Sequence, residues 1–358
     1  MRILLVAGAR PNFMKIAPIM RALARDPRFD QRLVHTGQHY SAEMSDAFFR
    51  DLELPQPDVH LGIGSGTHAE QTARVMVEFE RVIAEERPDL VIVVGDVNST
   101  LACSLVTAKA QVRLAHVEAG LRSFDRSMPE EINRIVTDCL TDVFFTTSAD
   151  ADQNLRREGH EPERIHLVGN TMIDTLMRHR AAVDGEAWPA GVGVESGEYL
   201  LVTLHRPANV DEPHNLRLIL QALRDAPLPV LFPIHPRTAA VAERAGLRSL
   251  LDTLHVMRPV GYLDFLRLQL HARLVLTDSG GIQEETTVLG VPCLTFRDNT
   301  ERPVTVTHGT NRLIGTDPER ILPEIRASLA NPLPPGSIPP LWDGHAAERL
   351  VDCLAASL

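Results

Sequence analysis

The sequence has little of what defines several classes of protein. Its four cysteines, Cys103, Cys139, Cys293 and Cys353, stand far apart and form no CxxC pair. We therefore expect buried, reduced thiols and neither a zinc site nor a disulfide framework. The apolar run in the N-terminal MRILLVAGARP is only about six residues long, shorter than a signal-peptide core, and no stretch approaches the roughly 18 residues of a membrane span. A cytoplasmic protein that does not bind membranes is the resulting expectation.

Positive charge is also in short supply. The chain has 36 lysines and arginines against 47 aspartates and glutamates, a formal net charge of -11. Nonspecific binding to nucleic acid relies on clustered Lys and Arg, so we expect no nucleic-acid partner and only a local anion site. The first apolar run is followed by GARPNFMK instead of GxGxxG, and the glycines of GIGSGTHAEQ follow no good strand pattern. Both observations argue against a dinucleotide cofactor.

What the sequence does have is an alternation of short apolar runs with longer helical patterns, which is typical of buried parallel sheets. The runs are residues 2–8, 32–36, 90–96, 113–117 and 143–147 in the first half, and 199–204, 229–234, 273–278 and 292–296 in the second. A chain of 358 residues exceeds what one hydrophobic core usually serves. We therefore predict an α/β protein of two doubly wound domains with a cleft between them.

A change in composition indicates where the domains meet. The stretch MRHRAAVDGEAWPAGVGVESG is polar and contains Gly and Pro, which favours a linker. We expect an N-terminal domain over residues 1–170, a linker region over 171–195, a C-terminal domain over 196–340 and a final helix over 341–358. The sequence indicates no packing partner for that helix. Ligands of such sheets bind at the carboxyl ends of the strands, so the residues after each strand are the site candidates.

In the second half, the strand pattern RLVLTD leads through Ser279, Gly280 and Gly281 into a helix predicted to open at Ile282. Glycines let a phosphate approach the backbone, and a helix N-terminus offers free N–H groups and the positive end of the dipole. One glutamate of the following QEE is placed to accept hydrogen bonds from ribose hydroxyls. The alternative is an ordinary turn with acidic residues at a favourable helix start.

Two other strand ends of this half carry a histidine closely followed by an arginine. VTLHRP supplies His205 and Arg206, and FPIHPR supplies His235 and Arg237. No carboxylate or thiol is spaced to complete a metal shell, so the pattern favours an anion and no metal is expected. Either histidine alone would more often be structural. Together with the glycine turn they indicate an anion site.

Charged residues also follow the strands of the first half. GARPNFMK carries Arg10 and Lys15, GDVNST carries Asp96, and HVEAGLR carries Glu118. Asp96 has a plain alternative as the start of a turn, with a residue of the following NST capping the next helix. Glu118 leaves a buried strand directly, where an unpaired carboxylate is costly and a paired one is often functional.

Glu130 and Glu131 have structural interpretations of their own. SMPE fits a capping box from Ser127 to Glu130, with Pro129 in the first turn of the helix. Glu131 can form an i,i+3 pair with Arg134. Spacing alone favours these interpretations over proton transfer.

The ordered motifs of the chain resemble those of the non-hydrolysing UDP-N-acetylglucosamine 2-epimerases. They are GARPNFMKIAP, GDVNSTLA, HVEAGLRSFDRSMPEEINR, GNTMID, TLHRP, TDSGGIQEE and RDNTERPVT, and they span nearly the whole sequence. The resemblance implies a GT-B architecture of two Rossmann-like domains, and a homodimer that serves cell-surface polysaccharide biosynthesis. It also implies reversible conversion of UDP-N-acetylglucosamine to UDP-N-acetylmannosamine, by elimination of UDP to 2-acetamidoglucal and re-addition, without a cofactor.

The resemblance further implies roles for individual residues. The expected catalytic residues are the carboxylates Asp96, Glu118 and Glu130, their neighbour Glu131, and His205 near the departing diphosphate. The expected UDP-sugar contacts are Arg10, Ser279, Gly280, Gly281 and Glu285, with Lys15, Arg302 and Phe265 as further candidates. A candidate allosteric site comprises Gln38, His39, Arg206 and His235.

Some motifs depart from those of the better-known bacterial members. GARPNFMK replaces a GTRPE-type start, GDVNST replaces a run of threonines after GD, TLHRPANVDEP replaces a TGHRRE-type loop, and TGQHYSAEM lacks the second glutamine expected after TGQH. A GT-B glycosyltransferase, a hydrolysing epimerase and a non-catalytic sugar-nucleotide sensor are the alternatives. The clustered carboxylates favour proton transfer over glycosyl transfer.

Overall fold

The computed structural model describes residues 1–37, 49, 51–185, 192–331 and 336–356 of the 358-residue chain. The chain forms two compact units. Unit 1 consists of Met1–Arg178 together with Pro340–Leu358, and unit 2 of His179–Pro339. Each unit is an α/β structure with its own parallel sheet, as the alternation of apolar runs predicts.

Unit 1 is built on a seven-stranded parallel sheet in the order β3-β2-β1-β4-β5-β6-β7. The strands are β1 (Arg2–Ala7), β2 (Asp30–His35), β3 (Val59–His60), β4 (Leu90–Val94), β5 (Arg113–Val117), β6 (Val143–Thr146) and β7 (Ile165–Leu167). All five residues of the central strand β4, LVIVV, are buried. A strand covered by helices on both faces requires such a continuous apolar sequence.

The helices of unit 1 connect or follow these strands along the chain. They are α1 (Arg10–Leu23), α2 (His68–Glu86), α3 (Asn98–Lys109), α4 (Pro129–Leu140), α5 (Ala149–Arg157) and α6 (Thr171–Asp184), the last of which leads into unit 2. Thr67 and Glu70 start α2 with a capping box, which satisfies N–H groups that the first turn leaves without partners. The segment for which we expected a linker contains α6 as far as Asp184.

Unit 2 is built on a six-stranded parallel sheet in the order β10-β9-β8-β11-β12-β13. Its strands are β8 (Leu200–Thr203), β9 (Val230–Pro233), β10 (His255–Met257), β11 (Leu274–Thr277), β12 (Cys293–Thr295) and β13 (Asn311–Leu313). Its helices are α7 (Pro207–Val210), α8 (Pro213–Arg224), α9 (Pro236–Arg244), α10 (Arg248–Leu251), α11 (Tyr262–Leu270), α12 (Gly280–Leu289), α13 (Val304–Thr307) and α14 (Ile321–Ala330).

The C-terminal helix α15 (Ala346–Ala356) returns to unit 1 and packs against α1. The carboxylate of Asp174 accepts hydrogen bonds from the backbone N–H groups of Ala346 and Ala347, at 3.0 and 2.7 Å. The buried Trp342 donates its indole N–H to the carbonyl of Thr147, at 2.9 Å. These contacts identify the packing partner that the sequence leaves open.

The cysteine prediction is only partly right. All four thiols are free, and Cys103 and Cys293 are buried, but Cys139 is exposed and Cys353 is half-buried. Cys139 lies on the solvent-facing side of α4, although its neighbour Asp138 is wholly buried. Within the described ranges, no helix combines the length and the apolar character that crossing a bilayer requires.

Candidate active site

Two carboxylates leave neighbouring strands at the carboxyl edge of the unit 1 sheet. Asp96 follows β4 and Glu118 follows β5, and these strands pair directly. The carboxyl edge is where ligands bind in open α/β sheets. The structure therefore brings together two of the predicted catalytic residues.

Glu118 forms a buried ion pair with Lys15 of α1. Both side chains are almost fully excluded from solvent, at 3% and 7% exposure. Glu118 has a φ of 68°, a left-handed conformation that non-glycine residues hold only where the surroundings enforce it. Lys15, one of the residues expected to help hold UDP, supplies the opposite charge that a buried carboxylate needs.

Gly95 leaves room for that ion pair. Its φ is 66°, and a Cβ atom there would lie 3.1 Å from Lys15 Nζ and 3.4 Å from Glu118 Oε2. Any side chain would therefore strain the backbone and crowd the two charges. The glycine of the GDVNST motif thus serves the carboxylate of the neighbouring strand.

Asp96 is held by two residues of α4. The Arg134 guanidinium donates to Asp96 Oδ2 from Nε and from a terminal nitrogen, at 3.0 and 2.8 Å, and Asn133 donates to the Asp96 carbonyl at 2.8 Å. Helix α3 begins at Asn98 with Val97 as its N-cap residue, so no side chain of NST caps it. Asp96 is therefore a positioned carboxylate and more than the start of a turn.

Glu130 and Glu131 occupy opposite environments in the first turn of α4. Glu130 is exposed. Glu131 is only 1% exposed and pairs with Arg134. Its carboxylate also accepts hydrogen bonds from the backbone N–H groups of Ser123 and Phe124 and from the Ser123 hydroxyl, at 2.9, 2.9 and 3.0 Å. With its oxygens so engaged, Glu131 anchors residues 123–124, a structural contact that its expected catalytic role did not include.

The capping box predicted for SMPE does not form. Met128 is the N-cap residue of α4, with no side-chain cap hydrogen bond, and Pro129 lies in the first turn as expected. The Ser127 hydroxyl instead donates to Asp125 Oδ1 at 2.6 Å. Glu130 is therefore not committed to a capping role.

In unit 2, Ser279 is the N-cap residue of α12, which begins at Gly280, two residues before the predicted position. A Cβ atom at Gly280 would lie 2.4 Å from the Arg302 guanidinium and 2.8 Å from Glu301 Oε1. The N-terminus of a ten-residue helix after a strand end is suited to bind an anion. The glutamates of QEE come after the first turn and do not contribute to the helix start.

His205 is oriented by Asp278, a residue outside the predicted site. His205 Nδ1 lies 2.8 Å from Asp278 Oδ1, and the side chain is 53% exposed while Asp278 is wholly buried. Asp278 also accepts from the backbone N–H of Arg206 at 2.9 Å and from Asn209 at 3.0 Å. Burial alone would raise the pKa of Asp278, but the hydrogen bonds from His205, Arg206 and Asn209 outweigh it and hold the pKa below its ordinary value. An ionised Asp278 keeps the proton of His205 on Nδ1.

Glu285 lies inside unit 2, on the buried face of α12. It accepts a hydrogen bond from Gln269 at 2.6 Å. Burial raises its pKa to about 7, against the opposing effect of hydrogen bonds from Gln269 and Tyr262. Phe265 is half-buried on α11.

Arg302 is buried beside the start of α12. Its guanidinium pairs with Glu284 at 2.8 Å and with Glu301. This pairing fixes the guanidinium beside Gly280.

The residues of the candidate allosteric site are only partly described. Gln38 and His39, and the side chain of Arg10 at the start of α1, lie outside the described part of the chain. Arg206 donates from Nε to the Asp278 carbonyl at 2.9 Å, and His235 Nδ1 accepts from the Arg237 N–H at 3.2 Å as a cap of α9. Among the side chains that the structure describes, no three His, Cys, Asp or Glu residues come together to hold a metal ion.

The chain is similar in sequence and in structure to known proteins. The family model for UDP-N-acetylglucosamine 2-epimerase matches residues 21–355. The enzyme of that name from Methanocaldococcus jannaschii is 43% identical over 99% of each chain. The crystal structure of the Methanocaldococcus jannaschii enzyme in complex with UDP-GlcNAc and UDP is similar at a TM-score of 0.91 and 41% identity, over 99% of this chain and 100% of that one.

A relative with a different name is almost as similar. UDP-2,3-diacetamido-2,3-dideoxy-D-glucuronate 2-epimerase from Pseudomonas aeruginosa is 42% identical over 99% of each chain. A lipopolysaccharide outer core galactosyltransferase shares the fold alone, at a TM-score of 0.53 and 13% identity over 100% of each chain. The GT-B architecture expected from the motifs is thereby confirmed.

Proposed function

This chain belongs to the UDP-N-acetylglucosamine 2-epimerase family, and we propose that it interconverts UDP-N-acetylglucosamine and UDP-N-acetylmannosamine by inverting C2. The observation that carries this proposal is the pair of anchored carboxylates, Asp96 and Glu118, at neighbouring strand ends. A helix N-terminus suited to an anion and an oriented histidine, His205, support it in unit 2.

The proposed reaction proceeds by elimination and re-addition. No carbonyl neighbours C2, so its proton is too weakly acidic to be removed and returned by itself. A base takes the C2 proton while the bond between C1 and the diphosphate oxygen breaks, and the electron pair forms the C1–C2 double bond of 2-acetamidoglucal. An acid then returns a proton to the opposite face of C2, and UDP adds again to C1.

Asp96, Glu118 and Glu130 are the proposed proton-transfer groups. Glu118 is held by its ion pair with Lys15, and Asp96 by its ion pair with Arg134. Glu130 is exposed, so its carboxylate is accessible to a substrate. Glu131 positions the preceding loop and transfers no proton.

His205 is proposed to stabilise the charge that develops on the departing UDP. Asp278 holds Nδ1 and leaves Nε2 for the diphosphate oxygen. The residues proposed to hold UDP are Arg10, Phe265, Ser279, Gly280, Gly281, Glu285 and Arg302. The anion preference of the α12 N-terminus supports the central three of these.

The experiment that tests the proposal is incubation with UDP-N-acetylglucosamine in deuterated water, followed by NMR of the products. Both UDP-sugar epimers should appear with deuterium at C2, with a small amount of 2-acetamidoglucal and UDP. Free N-acetylmannosamine as the main product would identify a hydrolysing epimerase. Sugar transfer to an added acceptor without C2 exchange would identify a glycosyltransferase, and tight binding without turnover a sensor.

A second candidate substrate is UDP-2,3-diacetamido-2,3-dideoxy-D-glucuronate, because the Pseudomonas aeruginosa enzyme named for it is 42% identical to this chain. Its C2 chemistry is the same, so the same residues would serve. Measuring kcat/KM for both UDP-sugars under one condition distinguishes the two. A higher value for the diacetamido glucuronate would replace the substrate proposed above.

We also propose a cytoplasmic homodimer that needs no added cofactor or metal and that supplies an activated sugar for polysaccharide synthesis, as the resemblance implies. Sedimentation tests the dimer. Turnover that EDTA abolishes and a divalent ion restores would contradict the metal-free proposal. Gln38, His39, Arg206 and His235 are the proposed site of activation by the UDP-sugar, which sigmoidal kinetics would reveal.

A further inference from the structure

His116 lies at the centre of unit 1, and the proposed mechanism gives it no role. It is on β5, two residues before Glu118, and its side chain is wholly buried. Nε2 lies 2.8 Å from the carbonyl oxygen of Gly95, and Nδ1 lies 2.6 Å from Asp138 Oδ1. A carbonyl oxygen has no hydrogen to donate, so Nε2 carries a proton.

Asp138 is also an acceptor. Its other oxygen, Oδ2, accepts the backbone N–H of Gly120 at 3.1 Å and lies 2.7 Å from an Arg122 guanidinium nitrogen. Arg122 and the Gly120 N–H both present hydrogens to this carboxylate, so Asp138 acts as an acceptor. Its Oδ1 lies 2.6 Å from His116 Nδ1 and accepts there too, so Nδ1 of His116 carries a proton as well.

Asp138 is the buried carboxylate that His116 faces. Arg122 also forms a bidentate pair with Glu158, at 2.8 and 2.6 Å, but the Glu158 side chain is 35% exposed. Asp138 and the Arg122 side chain are no more than 1% exposed. A proton on His116 Nδ1 gives Asp138 Oδ1 the donor that a buried carboxylate oxygen needs.

The hydrogen bond from His116 acts on the backbone at the point where β4 ends. Gly95 lies in a left-handed turn, its N–H donates to the Val117 carbonyl at 3.0 Å, and its carbonyl accepts from His116. The next residue is Asp96. The space at Gly95 is bordered by Lys15 and Glu118, so the orientation of this one peptide affects both carboxylates.

We propose that His116 is a positioning residue: protonated on both nitrogens and held by Asp138, it fixes the Gly95 carbonyl and thereby the directions of Asp96 and Glu118. It touches no substrate atom and acts through the two carboxylates. The positioning role rests on the proposed function, whereas the charge of the ring does not.

The charge is tested by NMR of the whole protein with ¹⁵N-labelled histidine. The His116→Gln variant identifies the signals of the ring. Both ring nitrogens should appear protonated at neutral pH. One unprotonated nitrogen at neutral pH would overturn the proposal, whether or not any variant is active.

A second variant tests the partner. Asp138→Asn removes the carboxylate charge with little change in volume, so the ring should lose the Nδ1 proton and keep the Nε2 proton for Gly95. A ring that stays charged in this variant would show that Asp138 is not what holds the charge. Because this measurement reads the parent and a near-isosteric variant, it does not depend on the His116→Gln protein being active.

The positioning role is tested by kinetics of His116→Gln. The glutamine amide can reach Gly95 but presents an oxygen to Asp138. We expect kcat for C2 exchange to fall on the order of 10- to 100-fold, with the Kd for UDP and the KM near those of the parent, since misplaced catalytic groups cost rate rather than binding. His166→Gln, a half-buried histidine on β7 of the same sheet, is the matched control and should resemble the parent.

A kcat within about twofold of the parent in His116→Gln would overturn the positioning role. Equal losses in kcat and in UDP affinity would also overturn it, because they indicate a general disturbance of the fold. If the parent itself exchanges no C2 proton, the proposed function fails and the positioning role with it. The NMR result on the ring stands independently of that outcome.

Discussion

Helix α4 offers a direct test of which glutamate of the PEE sequence handles protons. The perturbation is a pair of single variants, Glu130→Gln and Glu131→Gln. Glu130 is exposed, whereas Glu131 is 1% exposed and accepts from two backbone N–H groups, a hydroxyl and Arg134. The two variants should therefore fail in opposite ways.

The magnitudes follow from these environments. In Glu131→Gln an amide group replaces an oxygen that faces donors, which leaves a buried donor unsatisfied at about 1–3 kcal/mol. Breaking a buried ion pair costs roughly 3–5 kcal/mol of the free energy of unfolding. Arg134 keeps its hydrogen bonds to Asp96 in this variant, so the loss should be smaller. We expect a total near 3 kcal/mol, or about 6–12 °C in Tm for a unit of this size. Glu130→Gln, on the surface, should cost less than about 0.5 kcal/mol.

The effects on activity should be the reverse of those on stability, with the larger loss in the Glu130 variant. Glu130→Gln should lose about 10²- to 10⁴-fold in C2 exchange, the usual cost of removing a positioned acid or base, while its Tm stays within about 2 °C of the parent. Glu163→Gln is the matched control, since Glu163 is also exposed and also follows a proline at the start of a helical segment. A Glu130 variant that melts lower and keeps its turnover would refute the reasoning. So would a Glu131 variant that melts like the parent and loses activity.

Three further predictions concern unit 2. Asp278→Asn should lower kcat on the order of 10- to 100-fold by releasing His205, with UDP affinity by calorimetry unchanged; equal loss of both would contradict this. Gly281→Val should weaken UDP binding at least about tenfold by crowding the phosphates, and unchanged affinity in a folded variant would remove this glycine from the site. Burial raises the pKa of Glu285 to about 7, so its contribution to stability is present below the unfolded value of about 4.3 and is lost as pH rises through the folded value. The Tm of Glu285→Gln relative to the parent should therefore rise between about pH 5 and about pH 8, and a constant difference would contradict this.

The sequence predicts the central strands of both sheets but not their edges. All nine apolar runs correspond to strands, whereas β3, β7, β10 and β13 were not predicted, and these are the edge strands. Each has only two or three residues. Hydrophobic periodicity needs a longer stretch and a buried face to be visible, and short edge strands provide neither.

For the candidate site, the rule that ligands bind after parallel strands identifies Asp96, Glu118, His205 and the glycine turn. It does not identify their partners, because pairing depends on three-dimensional neighbours. Lys15 and Glu118 are separated by 103 positions. Asp278 directly follows a predicted strand, in the TDSGG motif. The same rule, applied to its carboxylate, would therefore have identified it.

Helix α4 shows why pattern alone misjudges this region. Glu131, Arg134 and Asp138 recur at i, i+3 and i+7 and so share one face, which by amphipathicity is typical of a solvent-facing side. All three are at most 2% exposed, and they anchor three different points of the chain. Glu131 holds residues 123–124, Arg134 holds Asp96, and Asp138 holds Gly120 together with His116. Apolar residues would pack as well and cost less to bury, but they cannot hold a backbone N–H or a carboxylate in one orientation. The buried charges of α4 are therefore explained by the need to orient strand ends that carry chemistry, and not by the stability of the fold.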